Sequence, residues 1–261
     1  MRHDSSYLEK RPATPEYVLE VIRDSYRQQL QFDPEAESGI ELGFDSTVSE
    51  WRTACDLVSW KPLGKALGSA WQFDTTHSEW KSVLEPQNKK RLADVCNFIA
   101  SRSTRSEILP SRLLGATCYG GGAFLAVREI LAKSGADVTA MRPSSPIEPY
   151  ISKYTLEFLG PISRLSPNTL PPIKVHAPFR NVLSWIFIVG LVLWPVFWYF
   201  KMSFLAFSSL ALAALSMIVS FFAPAARWEF PGIVTFRDLV NHLLGNCSPA
   251  PAFQQTASGS H

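Results

Sequence analysis

The sequence predicts a mainly α-helical chain. A helical cytoplasmic domain, with a short extended segment near 107–116, is followed by a two-helix transmembrane hairpin. Three observations predict this. Apolar residues recur at helical spacing behind recognisable cap residues between 14 and 158. Two apolar runs without charge, 182–200 and 203–223, come later in the chain. Charge is also segregated, with 22 Lys+Arg and 21 Asp+Glu in residues 1–180 against 3 and 2 in residues 181–261. The formal net charge of +2 over 261 residues excludes a dedicated nucleic-acid binder, whose affinity rests on a strong positive field.

The domain at 1–160 divides into segments 14–101 and 107–160. Thr14 caps a first helix with Pro15 at its opening position, and Val18, Ile22, Tyr26 and Leu30 form one face. A polar break, FDPEAESG, follows at 32–39. Thr47 and Glu50 have capping-box spacing for a second helix carrying Val48, Trp51, Cys55 and Val58. Pro62 opens a third, with Leu63, Ala66, Leu67 and Trp71. Ser78 starts a short helix bearing Trp80 and Val83, and Leu92, Val95, Cys96 and Ile99 mark a fifth. Trp51, Trp60, Trp71 and Trp80 are therefore spread over successive elements. Core anchoring is their expected role, an aromatic ligand cage the alternative.

The segment from Asp56 to Ala100 reads DLVSWKPLGKALGSAW, a polar loop, then RLADVCNFIA. It resembles the second half of an acyl carrier protein. In that family an Asp-Ser-Leu tripeptide opens the corresponding helix and its serine carries phosphopantetheine. Here the tripeptide is Asp56-Leu57-Val58, so Leu57 stands at the serine position and Ser59 does not match. The resemblance implies a small helical fold kept for binding, without carrier chemistry. TFRDLVNHLL at 235–244 echoes RLADVCNFIA at 91–100, sharing the Asp and the Asn, with Thr235 and Asp238 spaced as a capping pair and Gly245 just past the end.

One glycine-rich stretch stands out. Ala116 to Phe124 reads ATCYGGGAF and runs into the helix FLAVREILAKSG, after an extended segment holding Ile108-Leu109 and Leu113-Leu114. Gly120, Gly121 and Gly122 at a helix start leave amides able to hold a phosphate or carboxylate. The pattern lacks a P-loop lysine, so a tight turn with close packing is the favoured role. Cys118 beside that N-terminus is the candidate nucleophile. Its base would come from His3, His77 or His176, none tied to it by spacing. Cys55, Cys96, Cys118 and Cys247 show neither CxxC spacing nor a nearby His, so no metal, no disulfide framework and no cofactor are implied.

Ser145 and Glu148 have cap spacing for a helix carrying Tyr150, Ile151, Tyr154, Leu156 and Phe158 and stopping at Gly160-Pro161. Residues 161–180, with Pro161, Pro167, Pro171, Pro172 and Pro178, read as a semi-rigid linker. Each apolar run then covers roughly 30 Å as a helix. Trp185, Trp194, Trp198, Tyr199 and Lys201 are the expected interfacial anchors, and the absence of ionisable groups within the runs excludes transport. Basic residues on both flanks predict an integral membrane protein with two spans and both termini cytoplasmic. A short membrane-proximal helix at 227–245 and a disordered tail at 246–261 complete the reading. The expected function is a membrane-anchored, non-catalytic protein whose helical domain binds a protein partner. A membrane-surface enzyme using Cys118 or Gly120–Gly122 on an acyl or phosphorylated substrate is the alternative. The expected partners are the lipid bilayer, a protein, and a second copy meeting through the small residues of the hairpin, with no nucleic acid.

Overall fold

The computed structural model describes residues 6–113, 116–176 and 227–245. It also describes short helical pieces at 187–189, 191–195, 199, 207–209, 211–212 and 214–215. The chain divides into two units, the first made of 1–174 and 229–261 and the second of 175–228.

In the first half of the first unit, strand β1 (Leu8–Pro12) pairs antiparallel with β2 (Thr104–Ile108). Helix α1 (Pro15–Gln29) starts because Thr14 Oγ1 accepts the Tyr17 N–H at 3.3 Å and Pro15 needs no donor there. Its inward face buries Tyr17, Val18, Val21, Ile22 and Tyr26. Helix α2 (Val48–Ala54) begins at the Thr47–Glu50 capping box. Helix α3 (Trp60–Trp71) starts two residues before Pro62 and ends where Gln72 turns left-handed at φ +59°. Helix α4 (His77–Leu84) is capped by Thr76, whose Oγ1 accepts the Glu79 N–H, so the start lies before Ser78. Helix α5 (Leu92–Ala100) completes the group. Val18, Val48, Leu84, Leu92, Val95 and Ile99 are fully enclosed, with Trp51, Trp71 and Trp80 filling the wider gaps between helices.

The second half opens with a hairpin of β3 (Ser111–Leu113) and β4 (Ala116–Cys118) leading into α6 (Tyr119–Lys133). Short helices α7 (Glu148–Lys153) and α8 (Thr155–Glu157) come next. A π turn (Phe158–Ile162) and a 3₁₀ turn (Ser163–Leu165) follow. The helical path therefore runs through Gly160-Pro161 instead of stopping there. Pro161 supplies no N–H, and a widened turn absorbs that missing bond. Strands β5 (Lys174–His176) and β6 (Arg227–Glu229) pair with each other, and helix α9 (Phe236–Leu244) closes the half. Its core is built from Val127, Leu131, Ile147, Ile151, Phe158, Phe230, Phe236 and Leu243.

Residues 161–173 differ from the expected spacer. Ile162, Leu170 and Ile173 are buried, and polar side chains of α1 hold the segment along its length. The Ser163 hydroxyl donates to the Asp24 carboxylate. Arg27 Nη2 donates to Asp24 Oδ1 and to the Leu170 carbonyl, both at 2.5 Å. Gln28 Oε1 accepts the Ile173 N–H at 2.8 Å, and Tyr17 Oη donates to the Arg164 carbonyl at 2.8 Å. Arg164 lies 4.4 Å above the Trp71 ring and donates to the Ala70 carbonyl at 2.6 Å, satisfying the C-terminal end of α3. Proline stiffness favours a spacer, but burial of three large aliphatic side chains outweighs it, each contributing about 1.5–3 kcal/mol.

The expected transmembrane hairpin is not shown by the described residues. Among the described residues no helix is long and apolar enough to cross a membrane. A crossing needs about 20 continuous helical residues, because lipid offers no partner to a backbone group outside a helix. The expected integral two-span location, with both termini cytoplasmic, is corrected by the same finding. Of the proposed interfacial anchors, Trp194 is 39% and Tyr199 82% exposed. Trp185, Trp198 and Lys201 lie outside the described residues, as does the tail at 246–261.

Candidate functional site

The glycine stretch forms the first turn of α6 and not a loop ahead of it. Cys118 is the N-cap, its Sγ accepting the Gly121 N–H at 3.2 Å. The glycines are explained by what crosses above them. A Cβ at Gly122 would lie 2.0 Å from the Leu109 carbonyl oxygen, and one at Gly121 would lie 2.5 Å from Ser111 Oγ. Only residues without a Cβ let the connection from β2 to β3 pass so close to the helix backbone. Gly120 has only Val240 within 4 Å of such a Cβ. The Gly121 amide is already partnered by sulfur, and the crossing chain fills the space beside Gly122 that a ligand would need.

Cys118 is exposed, while Cys55 and Cys96 are buried. Burial pushes both buried thiols up to about 12, which keeps them protonated and inert. Around Cys118, hydrogen bonding comes from Gly121 and, at the Cys118 carbonyl, from the Ser111 hydroxyl, with no imidazole in either contact. His77 opens α4 in the first half and His176 lies in β5. His3 and Cys247 lie outside the described residues. Among the described residues no cluster of three or more His, Cys, Asp or Glu could hold a metal.

The four tryptophans do not converge into a cage. Trp80 is stacked by Phe73 at 5.9 Å and met edge-on by Phe98 at 4.9 Å. Trp71 meets Tyr17 edge-on at 6.1 Å, and Trp51 is buried beside α2's other core residues. Gly64 is required by this packing, since a Cβ there would lie 2.6 Å from Trp80 Cγ. Trp60 differs from the other three. It packs one side against the core and turns the other toward an open groove of about 670 Å³, lined also by Ser78, Lys81, Ser82, Glu85 and Pro86. Val58, two residues before it, is 57% exposed.

Sequence reasoning placed Val58 inside α2 and treated Trp60 as one core tryptophan of four. The signal that separates Trp60 is its position as the first residue of α3, where a side chain reaches back over the preceding chain. The buried Asp24, only 3% exposed, was also missed. A carboxylate on the inward face of α1, three residues before Arg27, was its signal.

Comparison with protein-family models, with curated proteins and with solved structures finds no match to this chain. The segment resembling an acyl carrier protein begins two residues past α2 and covers α3, α4 and α5. Leu57, at the position of that family's serine, packs partly buried against the first core and carries no hydroxyl.

Proposed function

We propose that the chain is a non-catalytic protein-binding module that captures a partner at the Trp60 groove. The observation that supports this is the pairing of a half-exposed Trp60 with Pro86 as apolar walls, rimmed by Lys81 and Glu85, with exposed Val58 alongside. Tryptophan is one of the residues enriched at binding hot spots, where a partner completes its desolvation. The groove has room for one or two large side chains, and its rim offers one charge of each sign. The partner is therefore a polypeptide segment presenting a large apolar residue flanked by an acidic and a basic one. Cys118, exposed and engaged as the cap of α6, needs no chemistry to explain it.

A photo-crosslinking residue in place of Trp60 tests this, with exposed Lys133 at the end of α6 in the second half as the control position. The expected result is one partner captured from position 60 and not from 133. With that partner purified, Trp60→Ala weakens binding at least about 10-fold, as loss of a hot spot does. Val58→Asp does the same without touching the core. Equal capture from both positions, or unchanged affinity in both variants, overturns the proposal.

A further inference from the structure

We infer that this chain contains one helical module twice, and that residues 175–228 are an insertion into the second copy. In the first copy the turn before α2 is clasped to the start of α5. Leu92 N–H donates to the Ser46 carbonyl at 2.8 Å, Ala93 N–H to the Phe44 carbonyl at 3.0 Å, and Val48 N–H to the Lys90 carbonyl at 2.8 Å. In the second copy the turn before α7 is clasped to the start of α9. Phe236 N–H donates to the Ser145 carbonyl at 3.3 Å, Arg237 N–H to the Pro143 carbonyl at 2.8 Å, and Ile147 N–H to the Val234 carbonyl at 3.0 Å. Position 44 maps to 143, 46 to 145 and 48 to 147, a constant shift of 99. Position 90 maps to 234, 92 to 236 and 93 to 237, a constant shift of 144.

The correspondence extends to side chains and flanks. Ser46 Oγ accepts the Gly43 N–H at 2.9 Å, and Ser145 Oγ accepts the Arg142 N–H at 3.0 Å. Asp94 accepts the Arg91 N–H at 3.1 Å, as Asp238 accepts the Thr235 N–H at 2.8 Å. Bridges join Thr47 to Arg91 and Pro146 to Thr235 at matching places. Leu92, Val95, Cys96 and Ile99 are buried in α5, and Phe236, Leu239, Val240 and Leu243 are buried at the same spacing in α9. Each copy opens with a strand leading into a 15-residue helix, α1 or α6, whose N-cap side chain accepts the N–H three residues on. Generic helix packing would not reproduce three inter-element backbone bonds, two side-chain bonds and a bridge at fixed shifts. The copies part company between the clasped helices. The first copy holds α3 and α4 there, and the second holds α8, the segment on α1 and residues 175–228. The latter leave and re-enter through paired strands β5 and β6, so their two ends meet, which is the geometry an insertion needs.

Hydrogen exchange on the full chain reads the duplication directly. Amides of Val48, Leu92 and Ala93, and of Ile147, Phe236 and Arg237, are expected to exchange as two matched trios, each slowed at least about 100-fold. Unprotected exchange of the second trio while α6 stays protected overturns the inference. A graft of α9's inward face into α5 (R91T, L92F, A93R, V95L, C96V and I99L together) is expected to keep amides 92 and 93 protected. Loss of that protection also overturns it. Four residues, Gly-Ser-Gly-Ser, placed after His176 test the insertion, because lengthening a loop costs little. The first unit's melting midpoint is expected to move by less than about 2 °C, whereas the same four residues between Thr47 and Val48 abolish its transition. A fall of more than about 10 °C from the His176 variant contradicts the insertion.

Discussion

The two 15-residue helices at the centre of each half are solved with opposite side-chain volumes. Helix α1 buries Tyr17, Val18, Val21, Ile22 and Tyr26, and keeps its neighbours at a distance set by those side chains. Helix α6 buries Gly122, Ala123, Ala126 and Val127 near its start and is crossed by the chain at Leu109 almost in backbone contact. The clasps that follow them are nevertheless the same, bond for bond. The difference teaches that backbone hydrogen bonding and cap chemistry carry the common architecture, while core volume is free to follow local spacing. This is the behaviour of cores that tolerate repacking as long as volume and pattern are kept.

The sharpest way to break the comparison is Gly122→Ala. Its methyl would meet the Leu109 carbonyl, which belongs to the backbone and cannot swing away, so a loss of about 3 kcal/mol is expected in urea unfolding. Gly160→Ala faces open space and is expected to stay within about 0.5 kcal/mol of the parent. Equal effects would show that the close crossing is absent. Next in size is Asp24→Ala, which removes the acceptor of the Ser163 hydroxyl and the partner of Arg27. A loss of about 2 kcal/mol is expected, with Arg27 left half-satisfied, and with new protease cleavage between 166 and 172. Resistance to cleavage would show that apolar burial alone holds the segment.

Smaller and more diagnostic are two cap deletions, Thr47→Ala on the turn side of the first clasp and Thr235→Ala on the helix side of the second. Both hydroxyls accept the N–H three residues on, and each should cost about 1 kcal/mol. A marked inequality would show that one clasp bears on its core more than the other. The smallest effect concerns pH. The Asp238 carboxylate is held below the ordinary range by the Thr235 backbone N–H first and by the Thr235 hydroxyl next. A carboxylate with a depressed folded value contributes its stability above the ordinary carboxylate range and loses it as pH falls through the depressed value. Asp238→Asn is therefore expected to flatten the acid limb of a stability-against-pH curve by lowering stability slightly at neutral pH while leaving the acid end nearly unchanged.

Much of the helical layout was legible because its signals are local. Thr14-Pro15 and the Thr47–Glu50 box place α1 and α2 through one or two hydrogen bonds within a single turn. Boundaries shifted where two local signals competed, as with Thr76 over Ser78 at α4 and Trp60 over Pro62 at α3. Strand β1 was not legible, since Leu8–Pro12 has an almost wholly exposed pattern and becomes a strand through pairing with residues nearly a hundred positions away. The echo between 91–100 and 235–244 showed two identities in sequence. Its meaning came from bonds to turns at 44–48 and 143–147, which share almost no residue type.

For the candidate site the balance was poorer. Gly120, Gly121, Gly122 and Cys118 were visible as a pattern, but whether their amides face a ligand or the crossing chain depends on where Leu109 lies. Trp60 looked like its three buried counterparts until the groove beside Lys81 and Pro86 was in place. The apolar runs at 182–200 and 203–223 marked where charge is missing, a compositional fact, without establishing a helix continuous enough to span lipid.

Residue order alone was enough for the starts of α1 and α2 and for the segregation of charge, because each depends on chemistry within a turn or on composition. Long-range packing chose the rest: the docking of 161–173 on α1, the exposure of one tryptophan in four, and the twofold use of one clasp. These arise from contacts between residues tens to more than a hundred positions apart, whose energies depend on which surfaces meet and leave no periodic trace along the chain.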